Sequence, residues 1–189
     1  MTFNNIIQTL PENIFNKLLS LKNLTERKDF HPEENCFLHV QIVTNRCIAF
    51  GDNDLICAGI FHDLHKLDTM KINPKTGNPT SPGHDSWARK TVQTDNVVRQ
   101  WITDFGADPD TVACLCGEHM RIHQMSQMRP VKQKMLMELP FFDKLAVFAC
   151  FDDMTVCDTK AQLNAQDILT KTACTVTMSQ FGKMGSKNR

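Results

Sequence analysis

An all-α fold is what this sequence predicts, on two observations. Apolar residues recur at spacings of three and four along most of its length, and strict apolar–polar alternation is nearly absent. Between positions 6 and 24 the set Ile6, Ile7, Leu10, Ile14, Phe15, Leu18 and Leu19 predicts one or two helices, broken or begun afresh at Pro11. A second run opens after Pro32 with Glu33 and Glu34, acids suited to a first helical turn, and continues through Phe37, Val40, Val43 and Cys47 to Gly51. Positions 52–64 read as a buried apolar helix that closes abruptly in His62-Asp63-Leu64-His65-Lys66. Asn73-Pro74, Gly77, Pro79, Pro82 and Gly83 predict a long loop over 68–83, of the kind that is usually functional or mobile. Helical patterns resume over 84–105, 109–128 and 139–159, with a weaker candidate over 161–178 and a frayed end over 182–189. No repeat or linker divides the 189 residues, which read as one domain with its core at about 33–160.

Composition narrows the function. Twenty-one basic and 21 acidic side chains cancel, so no global positive field favours nucleic acid or an anionic membrane. A small anionic substrate, or a short piece of nucleic acid held locally, is the compatible partner; the oligomeric state is left open. The eight cysteines form no CxxC pair, and several lie in apolar stretches as small hydrophobes. With no cleavable leader pattern at the N-terminus, reduced thiols in the cytoplasm are expected. No apolar run approaches the roughly 20 residues that span a bilayer.

Five clusters of metal-capable residues punctuate the helices: His39; His62-Asp63; His84-Asp85; His119 with His123; and Asp152-Asp153. Imidazole and carboxylate suit a divalent first-row metal, and carboxylates also suit magnesium. A buried apolar helix ending in adjacent imidazole and carboxylate puts both where desolvation is costly unless a metal or partner satisfies them. Two antiparallel helices turning near Gly51 would bring His39 to His62. His119 and His123, four apart, share one helical face, one as ligand and the other as substrate contact. Asp152 ends an apolar helix, and Asp153 competes with it. Plainer readings stand beside these. His84 could simply start a helix capped by Asp85 or Ser86. His31 reads as a surface residue, His65 as either a solvent-facing side chain or a substrate contact, and the methionines and cysteines as packing.

The order His, His-Asp, His, His and late Asp resembles the HD superfamily of metal-dependent phosphohydrolases over roughly residues 35–155, and the fold this implies is an HD-domain helical bundle. Phe61-His62-Asp63-Leu64-His65-Lys66-Leu67 looks like the family's HDLGK signature, and Pro82-Gly83-His84-Asp85 like the GH element after the loop. The pattern is nearest to the HD domains of bacterial tRNA nucleotidyltransferases. Because His65 stands where the signature has glycine, their tRNA chemistry is not carried over.

The resemblance makes His39, His62, Asp63 and Asp152 ligands of a first metal, with His84 and His119 completing a second and Asp63 bridging. The choices of His119 over His123 and Asp152 over Asp153 stay open. It matches Lys66 to a lysine that contacts substrate phosphate. Arg121, Arg129, Lys132 and Lys134 are further phosphate-binding candidates, although 129–134 reads equally as a solvated helix entrance. Asp85, Glu118 or His123 could protonate the leaving oxygen or orient a histidine. One or two ions of manganese, nickel, cobalt, magnesium or iron would activate water for hydrolysis of a nucleotide or related phosphoester. Phosphomonoesterase or cyclic phosphodiesterase activity is expected. Deoxynucleoside triphosphohydrolase, iron-dependent oxygenase and a non-catalytic nucleotide-binding module are the alternatives.

Overall fold

The computed structural model describes residues 1–25 and 33–153, and among them nearly all regular structure is helical. The candidate helix at 161–178 and His31 lie outside the described residues. Helices α1 (Phe3–Ile7) and α2 (Glu12–Ser20) are separated at Pro11, as the proline predicts. Helix α3 spans Cys36–Phe50, not the stretch directly after Pro32, because Asn35 caps it by accepting from the Leu38 amide. Glu33 therefore lies before the helix rather than in its first turn. Gly51, at φ 87°, ends α3, and Asp52 caps α4 (Asn53–Phe61).

Every residue of α4 from Leu55 to Phe61 is buried, so the helix has no solvent face and carries its C-terminal end into the interior. Helix was expected to continue through 62–64; instead the chain leaves it after Phe61 and turns through 62–65 into the short α5 (Lys66–Thr69). The expected long loop is shortened by that helix and by a hairpin, β1 (Lys71–Ile72) against β2 (Pro79–Thr80), antiparallel with Lys71 opposite Thr80. The single pattern expected over 84–105 is two helices, α6 (His84–Thr94) and α7 (Asn96–Asp104). Asp95 separates them because its carboxylate accepts from the Val97 and Val98 amides.

Asp108 and Pro109 start α8 (Pro109–His123), which ends before a 3-10 turn at Met125–Gln127. Helices α9 (Pro130–Met137) and α10 (Phe142–Asp153) follow. Helix α8 is the spine of an all-α bundle: it packs along α6 and against α4 and α10, while α3 packs on α4. Among the described residues no helix is long and apolar enough to cross a membrane.

One close approach sets the spacing of the two helices that lead into the centre. A Cβ on Gly59 would fall 2.9 Å from Thr44 Oγ1 and 3.1 Å from Thr44 Cα, so α3 and α4 touch where only hydrogen fits. Gly59→Ala must push backbone apart, and overpacking of this kind costs about 1–3 kcal/mol. The thermal midpoint should fall by roughly 2–10 °C, and an unchanged midpoint would contradict this contact.

Candidate metal centre

Helix ends and beginnings deliver the functional side chains to one place. His39 comes from the first turn of α3, His62 and Asp63 from the turn after α4, His84 from the first residue of α6, His119 and His123 from the last turns of α8, and Asp152 and Asp153 from the end of α10. Arg46 of α3 fixes the end of α10 by donating to the Phe151 carbonyl at 2.7 Å. His39, His62, Asp63 and His119 are buried to 1% exposure or less.

The potential ligand atoms fall into two groups, His39–His62–Asp152 and Asp63–His84–His119, with the atoms of each within 4.8 Å of one another. Asp63 joins them. Its Oδ2 lies 3.2 Å from His62 Nε2 and 3.6 Å from His39 Nε2, while its Oδ1 lies 3.2 Å from His84 Nε2 and 3.8 Å from His119 Nε2. Asp152 Oδ1 sits 2.9 Å from His39 Nε2 and 3.6 Å from His62 Nε2.

The outward nitrogens explain how the rings are aimed. Nδ1 of His62 meets the Gly59 carbonyl at 3.0 Å, that of His84 the Ser81 carbonyl at 2.6 Å, and that of His119 the Cys116 carbonyl at 2.7 Å. A carbonyl only accepts, so each Nδ1 carries a proton and each Nε2 faces inward. His39 is held by a carboxylate instead, with Nδ1 3.2 Å from Glu33 Oε1.

A cation fits this donor set. His84 and His119 turn their Nε2 atoms toward each other at 3.3 Å, with Asp63 Oδ1 beside them, and lone pairs so placed repel unless a cation or a proton separates them. Burial and the neighbouring His62 push His119 down to about 3, so its Nε2 keeps its lone pair at neutral pH. His62 Nε2 and Asp63 Oδ1 are buried without a hydrogen-bond partner among the described residues.

Electrostatics in the other group run the opposite way. Burial opposes charge on His39, and hydrogen bonds with Asp152 and Glu33 outweigh it, raising the ring to about 9. Burial likewise opposes charge on His62, and Asp63 and Asp152 raise it to about 10. Asp63 and Asp152 are themselves buried, yet the surrounding histidines, with Lys66 beside Asp63, hold both carboxyls well below the usual range.

The remaining expected residues divide. Lys66, also buried, places Nζ 2.8 Å from Asp63 Oδ2. His123 sits between two carboxylates, Nε2 at 2.9 Å from Asp152 Oδ2 and Nδ1 at 3.2 Å from Asp153 Oδ2, so Asp153 answers His123 while Asp152 reaches the metal-capable histidines. Glu118 is paired with Arg89 and Arg121. Arg121 lies on the flank of α8, partly exposed. Arg129 is exposed before α9 and makes no contact with the centre among the described residues. His65 is not solvent-facing: it is buried, with Nδ1 2.7 Å from Asp68 Oδ2 and Nε2 2.7 Å from Thr91 Oγ1, pinning α5 to α6. His84 begins α6 with no side-chain cap from Asp85 or Ser86; Gly83, at φ 79°, makes the turn. Cys47, Cys57, Cys114 and Cys116 form no disulfide among the described residues, and Cys157 and Cys174 lie outside them.

Sequence reasoning missed Glu33 and Arg89. Glu33 reaches His39 from outside the helix, where periodicity carries no signal, and Arg89 lies flat over Gly117, whose missing side chain makes the room.

No family model and no solved structure matches the chain. It is 24% identical over 129 residues to the Multifunctional CCA protein of Xylella fastidiosa (strain 9a5c), a stretch covering 67% of this chain and 28% of that protein. The chain thus spans less than a third of that relative's length. This similarity and the two His/Asp groups fit a metal-dependent enzyme.

A pH consequence follows from the raised rings. Their folded pKa values exceed the ordinary 6.5, so their pairing with carboxylates stabilises the metal-free protein fully below pH 6.5, and that contribution is lost as pH rises through 9 to 10. A metal must displace those protons. Calorimetry at about pH 7 in buffers of different ionisation enthalpy should show net proton release on metal binding. Binding without proton release would contradict these charge states.

Proposed function

We propose that the chain is an HD-type metal-dependent phosphohydrolase that cleaves a nucleotide or related phosphoester, by phosphomonoesterase or cyclic phosphodiesterase action. The observation that carries this reading is the Asp63 carboxylate, with one oxygen turned to each of two histidine groups. Its ligand set is that of the HD resemblance: His39, His62, Asp63 and Asp152 for one ion, and Asp63, His84 and His119 for a second. The similarity to a protein named for CCA supports a nucleotide-related substrate.

Divalent ions bound there would lower the pKa of water toward neutrality and neutralise phosphoryl oxygens. The protein's own groups do the rest. Lys66 turns its ammonium toward the Asp63 edge of the centre, where a phosphate oxygen could replace the carboxylate as its partner. Arg121, steadied by Glu118, and Arg129 would meet the more distant substrate charge. His123 would supply the proton to the leaving oxygen: burial opposes its charge, but hydrogen bonds to Asp152 and Asp153 raise it to about 10, so it is protonated at neutral pH. At 19% side-chain exposure it is more open than the metal-capable histidines.

The test is phosphate release from nucleoside monophosphates, 2′,3′-cyclic monophosphates and deoxynucleoside triphosphates, with manganese, nickel, cobalt, magnesium or iron supplied. His62→Ala and Asp63→Ala should each lower turnover at least ~10²-fold with the helical signal intact. His123→Ala should lower kcat more than it raises KM. Full activity in both His62→Ala and Asp63→Ala would overturn the proposal. Bound iron with dioxygen consumption and no phosphate release would move the chemistry to an oxygenase, and ligand-induced stabilisation without any product to a binding module.

A further inference from the structure

Three of the four rings that line the two groups are oriented by neutral backbone carbonyls, and one is oriented by a charge. Glu33 and His39 both have side chains only 1% exposed, and Glu33 Oε1 lies 3.2 Å from His39 Nδ1. A carboxylate on the far nitrogen of an imidazole makes the near nitrogen a stronger donor, and removing such a partner typically weakens metal binding 10–100-fold. The two groups also differ in their own charge. His39 and His62 share Asp152, at 2.9 and 3.6 Å, in addition to Oδ2 of Asp63. Among the described residues the carboxylate beside His84 and His119 is that of Asp63, and its charge is already drawn on by Lys66 at 2.8 Å. In a buried site one extra carboxylate acts through a low dielectric and weighs heavily on a divalent ion.

We propose that Glu33, acting through His39, makes His39–His62–Asp152 the tighter of the two metal positions, so that this position fills first and Asp63–His84–His119 fills second and exchanges. This rests on the reading of the two groups as a metal centre. Glu33 is a positioning residue in this arrangement, since it reaches the ion only through the ring.

The test is titration of the metal-free protein with manganese by calorimetry, and with cobalt by visible absorption, whose bands report imidazole coordination. The native protein should bind in two steps at least ~10-fold apart, and Glu33→Gln should weaken the tighter step ~10–100-fold while the weaker step holds within ~2-fold. Glu33→Asp, which keeps the charge, should recover part of the loss, and His84→Ala should remove the weaker step alone. An unchanged tighter step in a folded Glu33→Gln protein would overturn the proposal, as would loss of the tighter step in His84→Ala. If Glu33→Gln does not fold, His84→Ala and Glu33→Asp decide by the same criteria. Two equal steps in the native protein would overturn the filling order while leaving the metal centre standing. No metal step at all would overturn the centre itself and this proposal with it.

Discussion

One buried carboxylate constrains the rest of the structure. Asp63 is 1% exposed and sits among four histidine rings drawn from α3, the turn after α4, α6 and α8, with Lys66 at its edge. An isolated carboxylate at that depth would cost several kcal/mol to desolvate, so the fold is workable only with positive charge supplied around it. The cause lies one helix earlier. Because α4 is buried on all sides, the chain that leaves it at Phe61 is still inside the protein, and the next two residues are His62 and Asp63. Packing of α8 against α4, α6 and α10 then brings His84, His119 and Asp152 to the same point.

The aim of the rings comes from local backbone geometry. His62, His84 and His119 each donate Nδ1–H to the carbonyl three residues earlier, at Gly59, Ser81 and Cys116. One short-range rule thus serves a helix end, a helix start and a helix interior. It fixes the tautomer without a partner side chain, which frees carboxylates to face inward. Gly59 does two jobs in this scheme, since its carbonyl holds His62 and its missing Cβ lets α3 approach.

Much of this was legible in the sequence. The helices, the break at Pro11 and the end at Gly51 follow from periodicity and backbone chemistry. Metal-capable side chains on apolar helices drew attention to His39, His62, Asp63 and Asp152, while the resemblance to the HD superfamily completed the set with His84 and His119. Boundaries were misjudged where a capping side chain outranked the pattern. Asn35 delays α3, and Asp95 splits a stretch that read as one helix. Contacts made outside regular spacing were invisible: Glu33 looked like a first-turn acid and instead reaches His39, and His65, read as either solvent-facing or a substrate contact, is buried and bridges Asp68 and Thr91. The open choices between His119 and His123, and between Asp152 and Asp153, needed the rotation of α8 and α10, which periodicity leaves undefined when most faces are apolar.

Protons and a metal ion would compete for the same role in this candidate centre. His39 and His62 are raised by the carboxylates that also make the site attractive to a cation, so at neutral pH imidazolium–carboxylate pairs line this group. His119 is depressed by burial and by His62, so the second group offers a lone pair already free of its proton. The group with more negative charge is therefore the one that would have to shed protons to take a metal, while the group with less charge already presents a free lone pair. Affinity for an ion and the work of deprotonation rise together there, because the same carboxylates cause both. Such a centre would keep its buried carboxylates paired whether protons or a metal ion supplied the positive charge.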